Sequence, residues 1–150
     1  MKKGQVSTEL LLIVGIVLLI FIPLLTLVYF KASEANEQVA VYQAEMVVFR
    51  LAHLSNSVGS LGTDTKVYTD LYIPQNTISL ESSAVGGGGE ITLRLATPEG
   101  ESEIVEIVRF PISDPQVLAE GPGYGWKRFE ITSTYNESGG GTVSITPYKG

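Results

Sequence analysis

The pattern of hydrophobic and polar positions divides the chain into three parts. Residues 10–30 form an apolar run of 21 residues that holds no charged side chain. Residues 31–54 contain neither glycine nor proline, and their apolar positions recur at helical spacing. From residue 58 onward, short runs rich in Thr, Val, Ile and Tyr alternate with glycine-containing segments. The pattern therefore predicts one long N-terminal helix, residues 5–57, followed by a β-rich head, residues 58–150.

The apolar run is long enough to cross a membrane. At a rise of about 1.5 Å per residue, residues 10–30 extend over about 30 Å, which is the thickness of the hydrocarbon core of a bilayer. Lys2 and Lys3 precede the run, and Tyr29-Phe30-Lys31 at its end are aromatic and basic residues typical of a membrane interface. Pro23 removes the hydrogen bond to the carbonyl of Leu19. It predicts a kink or a loosened turn within the membrane helix.

Glu9 lies at the start of the apolar run, where a carboxylate is unusual. A secretory signal peptide has a shorter apolar core and a small-residue cleavage site, for which Ser33-Glu34-Ala35 would be the candidate. A plain single-pass anchor explains the length of the run but leaves Glu9 without a role. A carboxylate at the edge of a membrane helix is costly and commonly serves a partner. The alternative is that Glu9 is solvated at headgroup depth, close to the positive end of the helix.

The outer half of the helix carries two apolar stripes on opposite sides. The first stripe is formed by the positions Ala35, Val39, Tyr42, Met46, Phe49 and His53. The second stripe is formed by the positions Ala40, Val41, Ala44, Val47, Val48 and Leu51. A surface helix normally has one apolar stripe, which faces its own core. Two stripes predict two partners, such as the head and a neighbouring copy; a head that covers both stripes and a simple coiled-coil dimer are the alternatives.

Six runs in the head have the composition and length of β-strands. They are Lys66–Ile73, Thr77–Glu81, Glu90–Ala96, Glu103–Phe110, Lys127–Thr134 and Thr142–Tyr148. Pro98-Glu99-Gly100 predicts a tight turn between two of these runs, whereas Gly86–Gly89 and Gly139–Gly141 predict flexible loops. Short strands joined in this way favour an antiparallel sheet or a small β-sandwich. With the helix, the expected fold class is α+β.

The composition argues against catalysis and against nucleic acid as a partner. The chain has no cysteine, one histidine and a formal net charge of −6. His53 lies on the first stripe, so we expect a partly buried structural histidine. Glu99, Glu101, Glu103 and Glu106 form an acidic cluster that strand alternation and solvation explain better than general acid–base chemistry. We expect a protein that is not an enzyme and that uses no cofactor, and no calcium-binding loop pattern is present.

Two loops of the head carry candidate surface features. The segment Gly121–Trp126 presents an aromatic side chain among glycines, so Trp126 either forms a contact surface or fills the edge of the core. Asn136 begins the Asn-Glu-Ser sequence and is the candidate acceptor for N-glycosylation. Both segments are predicted to be loops.

The N-terminal segment also carries a family resemblance. The sequence Lys2-Lys3-Gly4-Gln5-Val6-Ser7-Thr8-Glu9-Leu10 resembles the class III signal peptide of archaeal type IV pilin-like proteins, with the pattern Gly-Gln-x-Ser-x-Glu before an apolar helix. The resemblance implies that Lys2, Lys3, Ser7 and Glu9 belong to the processing motif. It implies that a prepilin peptidase cuts between Gly4 and Gln5, which removes residues 1–4 as a leader. Glu9 would then pair with the N-terminal amine of Gln5 in a neighbouring subunit.

The resemblance also implies a function. The chain would be a major or minor pilin, a structural subunit of a type IV pilus-like surface filament. Its partners would be copies or paralogues of itself, the peptidase, an assembly ATPase and a membrane platform protein. The subunit would wait in the cell membrane with its N-terminus inside and its head outside, and would then enter an extracellular filament. The alternative from a different class is a monomeric, single-pass surface binding protein with a β-sandwich ectodomain.

Overall fold

The chain folds into a long helix followed by antiparallel sheets. The computed structural model describes residues 2–120, 124–135 and 140–148, with side chains from Ser7 onward except that of Glu120. It divides into two compact units, Met1–Gln38 and Val39–Gly150. The elements of the described residues are α1 (Lys2–Leu61), β1 (Lys66–Ile73), β2 (Thr77–Val85), β3 (Gly88–Thr97), β4 (Gly100–Val108), β5 (Gln116–Glu120), β6 (Gly125–Tyr135) and β7 (Gly141–Pro147). The expected α+β fold class is confirmed.

Helix α1 ends at Leu61, four residues past Ser57, where the sequence placed its end. The serines of the last turns bond back to the helix, since the Ser57 hydroxyl donates to the His53 carbonyl (2.9 Å) and the Ser60 hydroxyl to the Ser57 carbonyl (2.8 Å). Both hydroxyls thus find acceptors within the helix itself, as serine side chains near a helix end commonly do. Gly62, with φ of +98°, then terminates the helix in the left-handed conformation that glycine adopts without strain.

The strands form two antiparallel sheets in the second unit. One sheet has the order β1-β6-β7 and the other the order β4-β3-β2-β5. In the first sheet, β1 pairs with β6 along its whole length. Lys66 lies opposite Thr132 at one end and Ile73 opposite Gly125 at the other, so this pairing joins distant parts of the chain. The Gln116 side-chain amide donates to the Ile145 carbonyl (2.8 Å) and links β5 of the second sheet to β7 of the first.

A single hydrophobic core joins both sheets and the outer part of the helix. Its largest fully buried side chains are Phe129, Leu51, Ile73, Leu80, Ile91, Leu93, Leu95, Ile131 and Ile145. On β3, Ile91, Leu93 and Leu95 alternate along the inner face and are buried, and Thr92 of the other face is also buried. Burying one such side chain contributes about 1.5–3 kcal/mol, which is why the alternating runs fix the inward faces of the strands.

The turns agree with the sequence in one place and differ in another. Pro98 and Glu99 form the predicted tight turn between β3 and β4. The prediction of a flexible loop at Gly86–Gly89 is wrong. Gly86 and Gly87 form a two-residue hairpin turn, and the next two glycines begin β3. A Cβ at Gly89 would lie 2.5 Å from the Ile112 side chain, so packing against the following loop requires glycine there.

Strand β5 was not predicted, and the last glycine run is described only in part. β5 is a five-residue edge strand that pairs with β2. It follows Asp114-Pro115, and its Val-Leu-Ala centre shows no alternation of polar and apolar positions. In the run Gly139–Gly141, Gly139 lies outside the described residues, while Gly141 begins β7.

Candidate interaction surface

The second apolar stripe of the helix packs against the head. Its residues Ala44, Val47, Val48 and Leu51 are no more than 3% exposed, and they belong to the same hydrophobic core as the strands. This burial explains why helix residues from Val39 onward share one compact unit with the sheets. The head is therefore one of the two partners that the stripes predicted.

The first stripe remains exposed. Val39, Tyr42, Met46 and Phe49 are between 52% and 66% exposed, and His53 is also exposed. These five residues are called the free helix face below. The alternative in which the head covers both stripes is wrong for the single chain. The expectation of a partly buried His53 is also wrong, since its ring stacks on Phe49 at the surface, with centroids 6.1 Å apart and planes at 7°.

An open groove of about 620 Å³ runs along one side of the free helix face. Its far wall is aromatic, because Tyr72 and Trp126 contact each other edge to face with ring centroids 5.7 Å apart. Trp126 lies in β6 and not in a loop, which corrects the prediction for this segment, while Gly121–Gly123 lie outside the described residues. The Trp126 side chain is 74% exposed, so it does not fill the edge of the core and the contact-surface interpretation is the one that fits. Arg50 lines the helix side of this aromatic groove.

A second open groove, of about 570 Å³, runs along the opposite side of the same face. It lies between the helix and β4. Its charged lining residues are Glu45 of the helix and Glu106 of β4, and Ile104 of β4 also lines it. We call it the acidic groove. The free helix face thus has an acidic flank on one side. The other flank holds Arg50, two aromatic rings and Asp70, whose carboxylate is paired with Arg128.

The acidic cluster predicted from the sequence does not act as one site. Glu106 lines the acidic groove, whereas Glu103 forms an ion pair with Arg94 (3.6 Å) and Glu99 and Glu101 are exposed at the β3–β4 hairpin. In the part of the chain that the structure describes, no group of three or more His, Cys, Asp or Glu side chains is placed to hold a metal ion.

The outer face of the β1-β6-β7 sheet carries a ladder of cross-strand pairs. Asp70 accepts two hydrogen bonds from the Arg128 guanidinium, at 2.7 and 2.9 Å, between paired positions of β1 and β6. The Arg128 hydrogen bond lowers the pKa of Asp70 below its ordinary value. The Lys66 ammonium donates to Glu130 (3.0 Å), which lowers the pKa of Glu130 in the same way. These pairs align the strands that carry the aromatic wall.

We expect the Asp70–Arg128 pair to make the stability of the head depend on acid pH. Because the pKa of Asp70 is lower in the folded chain than its ordinary value of 3.8, its stabilisation is complete above that value and is lost as the pH falls through the folded pKa. Asp70→Asn should therefore lose less stability than the unsubstituted chain between pH 6 and pH 3. Urea unfolding at the two pH values measures the difference, and an equal loss in both chains would contradict it.

The membrane-length run is exposed throughout. Every residue from Leu10 to Phe30 is exposed in the first unit, and by length and composition this helix could cross a membrane. Glu9 and Ser7 are exposed at its start. The structure describes the backbone of residues 2–6 as helix, whereas their side chains lie outside the described set. The roles of Lys2, Lys3, Gly4 and Gln5 in processing therefore stay predictions.

The helix runs without a break through Pro23. One turn later the Thr26 hydroxyl donates to the Ile22 carbonyl (2.9 Å), so a side chain supplies a local hydrogen bond near the point where proline removes one. The kink predicted at Pro23 stays a prediction. Asn136, the candidate glycosylation acceptor, lies outside the described residues.

No protein-family model matches the chain, and neither the curated proteins nor the solved structures contain a match to it. The free helix face, its two grooves and the apolar run are among the apolar surfaces that remain exposed in the described part of the chain.

Proposed function

We propose that the chain is a structural subunit, a major or minor pilin, of an archaeal type IV pilus-like surface filament. The observation that carries the proposal is the free helix face, which stays exposed while the opposite side of the same helix is buried under the head. In a single chain, the contact of four large apolar side chains with water is unfavourable. A second copy of the chain would remove them from solvent and convert them into contact area.

The apolar run supports the same proposal. Each fully buried Leu or Ile side chain gains about 1.5–3 kcal/mol relative to exposure in water, so residues 10–30 require either lipid or neighbouring helices around them. Membrane insertion before assembly and helix bundling after it satisfy this requirement in turn. The Gly-Gln-x-Ser-x-Glu pattern before the run supplies the processing step that would connect the two states.

A subunit of this kind would have several partners in succession and two locations. Copies or paralogues of the chain, a prepilin peptidase, an assembly ATPase and a membrane platform protein would handle it in succession. It would sit in the cell membrane as a single-pass protein with its head outside, and later in an extracellular filament. The ladder and the aromatic wall would then lie on the head, where they are available to neighbours or to the medium.

Mass spectrometry of the N-terminus tests the proposal. Co-expression with an archaeal prepilin peptidase is expected to yield a chain that begins at Gln5 and retains the apolar run. A matched Gly4→Leu chain should keep Met1, because the bulky side chain occupies the position before the cut bond. An intact Met1 in the unsubstituted chain, or a new N-terminus near Asn36, would contradict the proposal.

The exposed aromatic residues of the head favour a second candidate, the monomeric surface binding protein. Tyr68 and Tyr148 contact each other edge to face, with centroids 5.5 Å apart, on the sheet that also carries Tyr72 and Trp126. Exposed aromatic side chains are enriched at binding surfaces. A full-length chain that keeps Met1 and remains monomeric in detergent at all concentrations would favour this candidate over the filament subunit.

A further inference from the structure

The free helix face has the spacing of a coiled-coil seam. Its residues recur at alternating intervals of three and four, so Val39, Met46 and His53 occupy a positions of a heptad while Tyr42 and Phe49 occupy d positions. The residues packed under the head take other positions: Val47 is b, Val48 is c, Ala44 and Leu51 are f, and Ala52 is g. The head therefore leaves the whole a/d seam free for another helix.

The positions that flank this seam carry opposite charges. Glu45 precedes an a position and is therefore g, whereas Arg50 follows a d position and is therefore e. Residues at e and g form the interhelical ion pairs that set the orientation of coiled-coil partners. Within the described residues, neither Glu45 nor Arg50 has an ion pair in its own chain. Both charges remain available to a partner.

We propose that a second copy of the chain packs on the free helix face in parallel orientation, with Glu45 of each copy beside Arg50 of the other. In a parallel pair, a g residue faces the e residue five positions later on the partner helix, and Glu45 and Arg50 are five positions apart. An antiparallel pair would instead place g beside g and e beside e. It would bring two glutamates together and two arginines together, which is unfavourable.

The grooves beyond the seam are complementary in the same sense. The acidic groove, with Glu106 and Ile104, lies on the g side, and the aromatic groove, with Tyr72 and Trp126, lies on the e side. Parallel packing brings the acidic flank of one copy to the arginine and aromatic flank of the other. Charge complementarity of this kind selects orientation and partner more than it adds affinity.

This inference rests on the proposed function insofar as the occupant is a second copy, but it requires no cleavage at Gly4. It goes further by fixing the orientation of the two helices and by naming the residues that determine it. Parallel orientation also agrees with single-pass chains that all enter the membrane in the same direction, because their helices already point the same way.

Charge reversal within one chain tests the orientation. Self-association of the full-length chain in detergent is measured by sedimentation equilibrium for the unsubstituted chain, Glu45→Lys, Arg50→Glu and the double variant. Each single reversal converts attraction into repulsion at the flanks, and we expect the dimer dissociation constant to rise about tenfold. The double variant restores opposite charges across a parallel seam and is expected to return to within about twofold of the unsubstituted chain.

Controls separate this effect from folding and from background association. Glu99→Lys makes the same charge change at the exposed β3–β4 turn and should leave the dissociation constant unchanged. All substituted positions are on the surface, so the thermal melts followed by circular dichroism should coincide. At about 1 M salt the differences among variants should shrink, since the Debye length falls to about 3 Å.

Three outcomes would overturn the inference: a double variant as weak as the single ones, single variants as strong as the unsubstituted chain, or an unsubstituted chain that stays monomeric. The N-terminus of the same preparations is read by mass spectrometry. If the chain begins at Gln5 but shows no charge rescue, the parallel pairing is ruled out while the proposed pilin function stands. If the chain keeps Met1 but shows the rescue, the proposed pilin function is ruled out while the parallel pairing is supported.

Discussion

Glu9→Ala is expected to be cleaved and inserted normally but to yield few or no filaments. Within the proposed assembly, the Glu9 carboxylate lies beside the N-terminal ammonium of Gln5 from a neighbouring copy, among apolar helices. Each charge is costly there without the other, and removing one partner of such a buried pair costs about 3–5 kcal/mol. The loss recurs at every subunit contact, so polymerisation is affected far more than the properties of the single chain.

Processing and assembly must be measured separately for this variant. Mass spectrometry reports whether the chain begins at Gln5, membrane fractionation reports insertion, and electron microscopy reports filaments. Glu34→Gln is the matched control. It also removes a carboxylate from the helix, but at an exposed site beyond the apolar run, where Glu34 pairs with Lys31 in the same chain (2.7 Å). Abundant filaments of normal appearance from Glu9→Ala would rule out the pairing role.

Leu51→Ala is expected to destabilise the head by about 2–5 kcal/mol, whereas Phe49→Ala should change its free energy of unfolding by about 0.5 kcal/mol or less. The two positions lie on opposite sides of the same helix, two residues apart. Leu51 is fully buried in the core, while Phe49 is 58% exposed on the free helix face. The larger side chain is therefore the cheaper one to remove.

Urea unfolding of the full-length chain in detergent measures both substitutions. Near-ultraviolet circular dichroism of the head tyrosines and Trp126 reports its tertiary structure. In the self-association measurement the order should reverse, with Phe49→Ala weakening the dimer. If Phe49→Ala destabilised the isolated chain as much as Leu51→Ala, the packing of the head on one side of the helix would be wrong.

Much of the fold follows from local patterns. The predicted bounds of β1, Lys66–Ile73, agree with the structure, because alternating outward and inward residues extend to both ends of the strand. The outer part of the helix is equally predictable from the sequence, since it contains no glycine or proline between Lys31 and Val58. Strand β5 was not predicted because this five-residue edge strand shows no alternation of polar and apolar positions. Its conformation depends on pairing with β2, which no local pattern reveals.

The interaction surface was predictable only in part. The two helix stripes are visible in the sequence, but both are apolar, so nothing local indicates which one the head covers. His53 shows the consequence, since its place on a stripe suggested burial while the stripe faces solvent. The contact between Tyr72 and Trp126 arises from the pairing of β1 with β6, and such long-range register cannot be read from the separate strands.

The same long-range pairing sets the order in which the head can form. Strands β2, β3 and β4 are joined by two-residue turns and can assemble locally, whereas β1 must wait for a strand whose nearest paired residues, Ile73 and Gly125, are 52 positions apart. Closing such a loop costs entropy before any contact rewards it, so high contact order delays this sheet. Until β6 pairs with β1, the core therefore lacks the buried side chains Phe129 and Ile131 of β6. Chains truncated before β6 should therefore leave core residues of β1 such as Leu71 and Ile73, which are buried in the complete chain, open to solvent and to proteolysis.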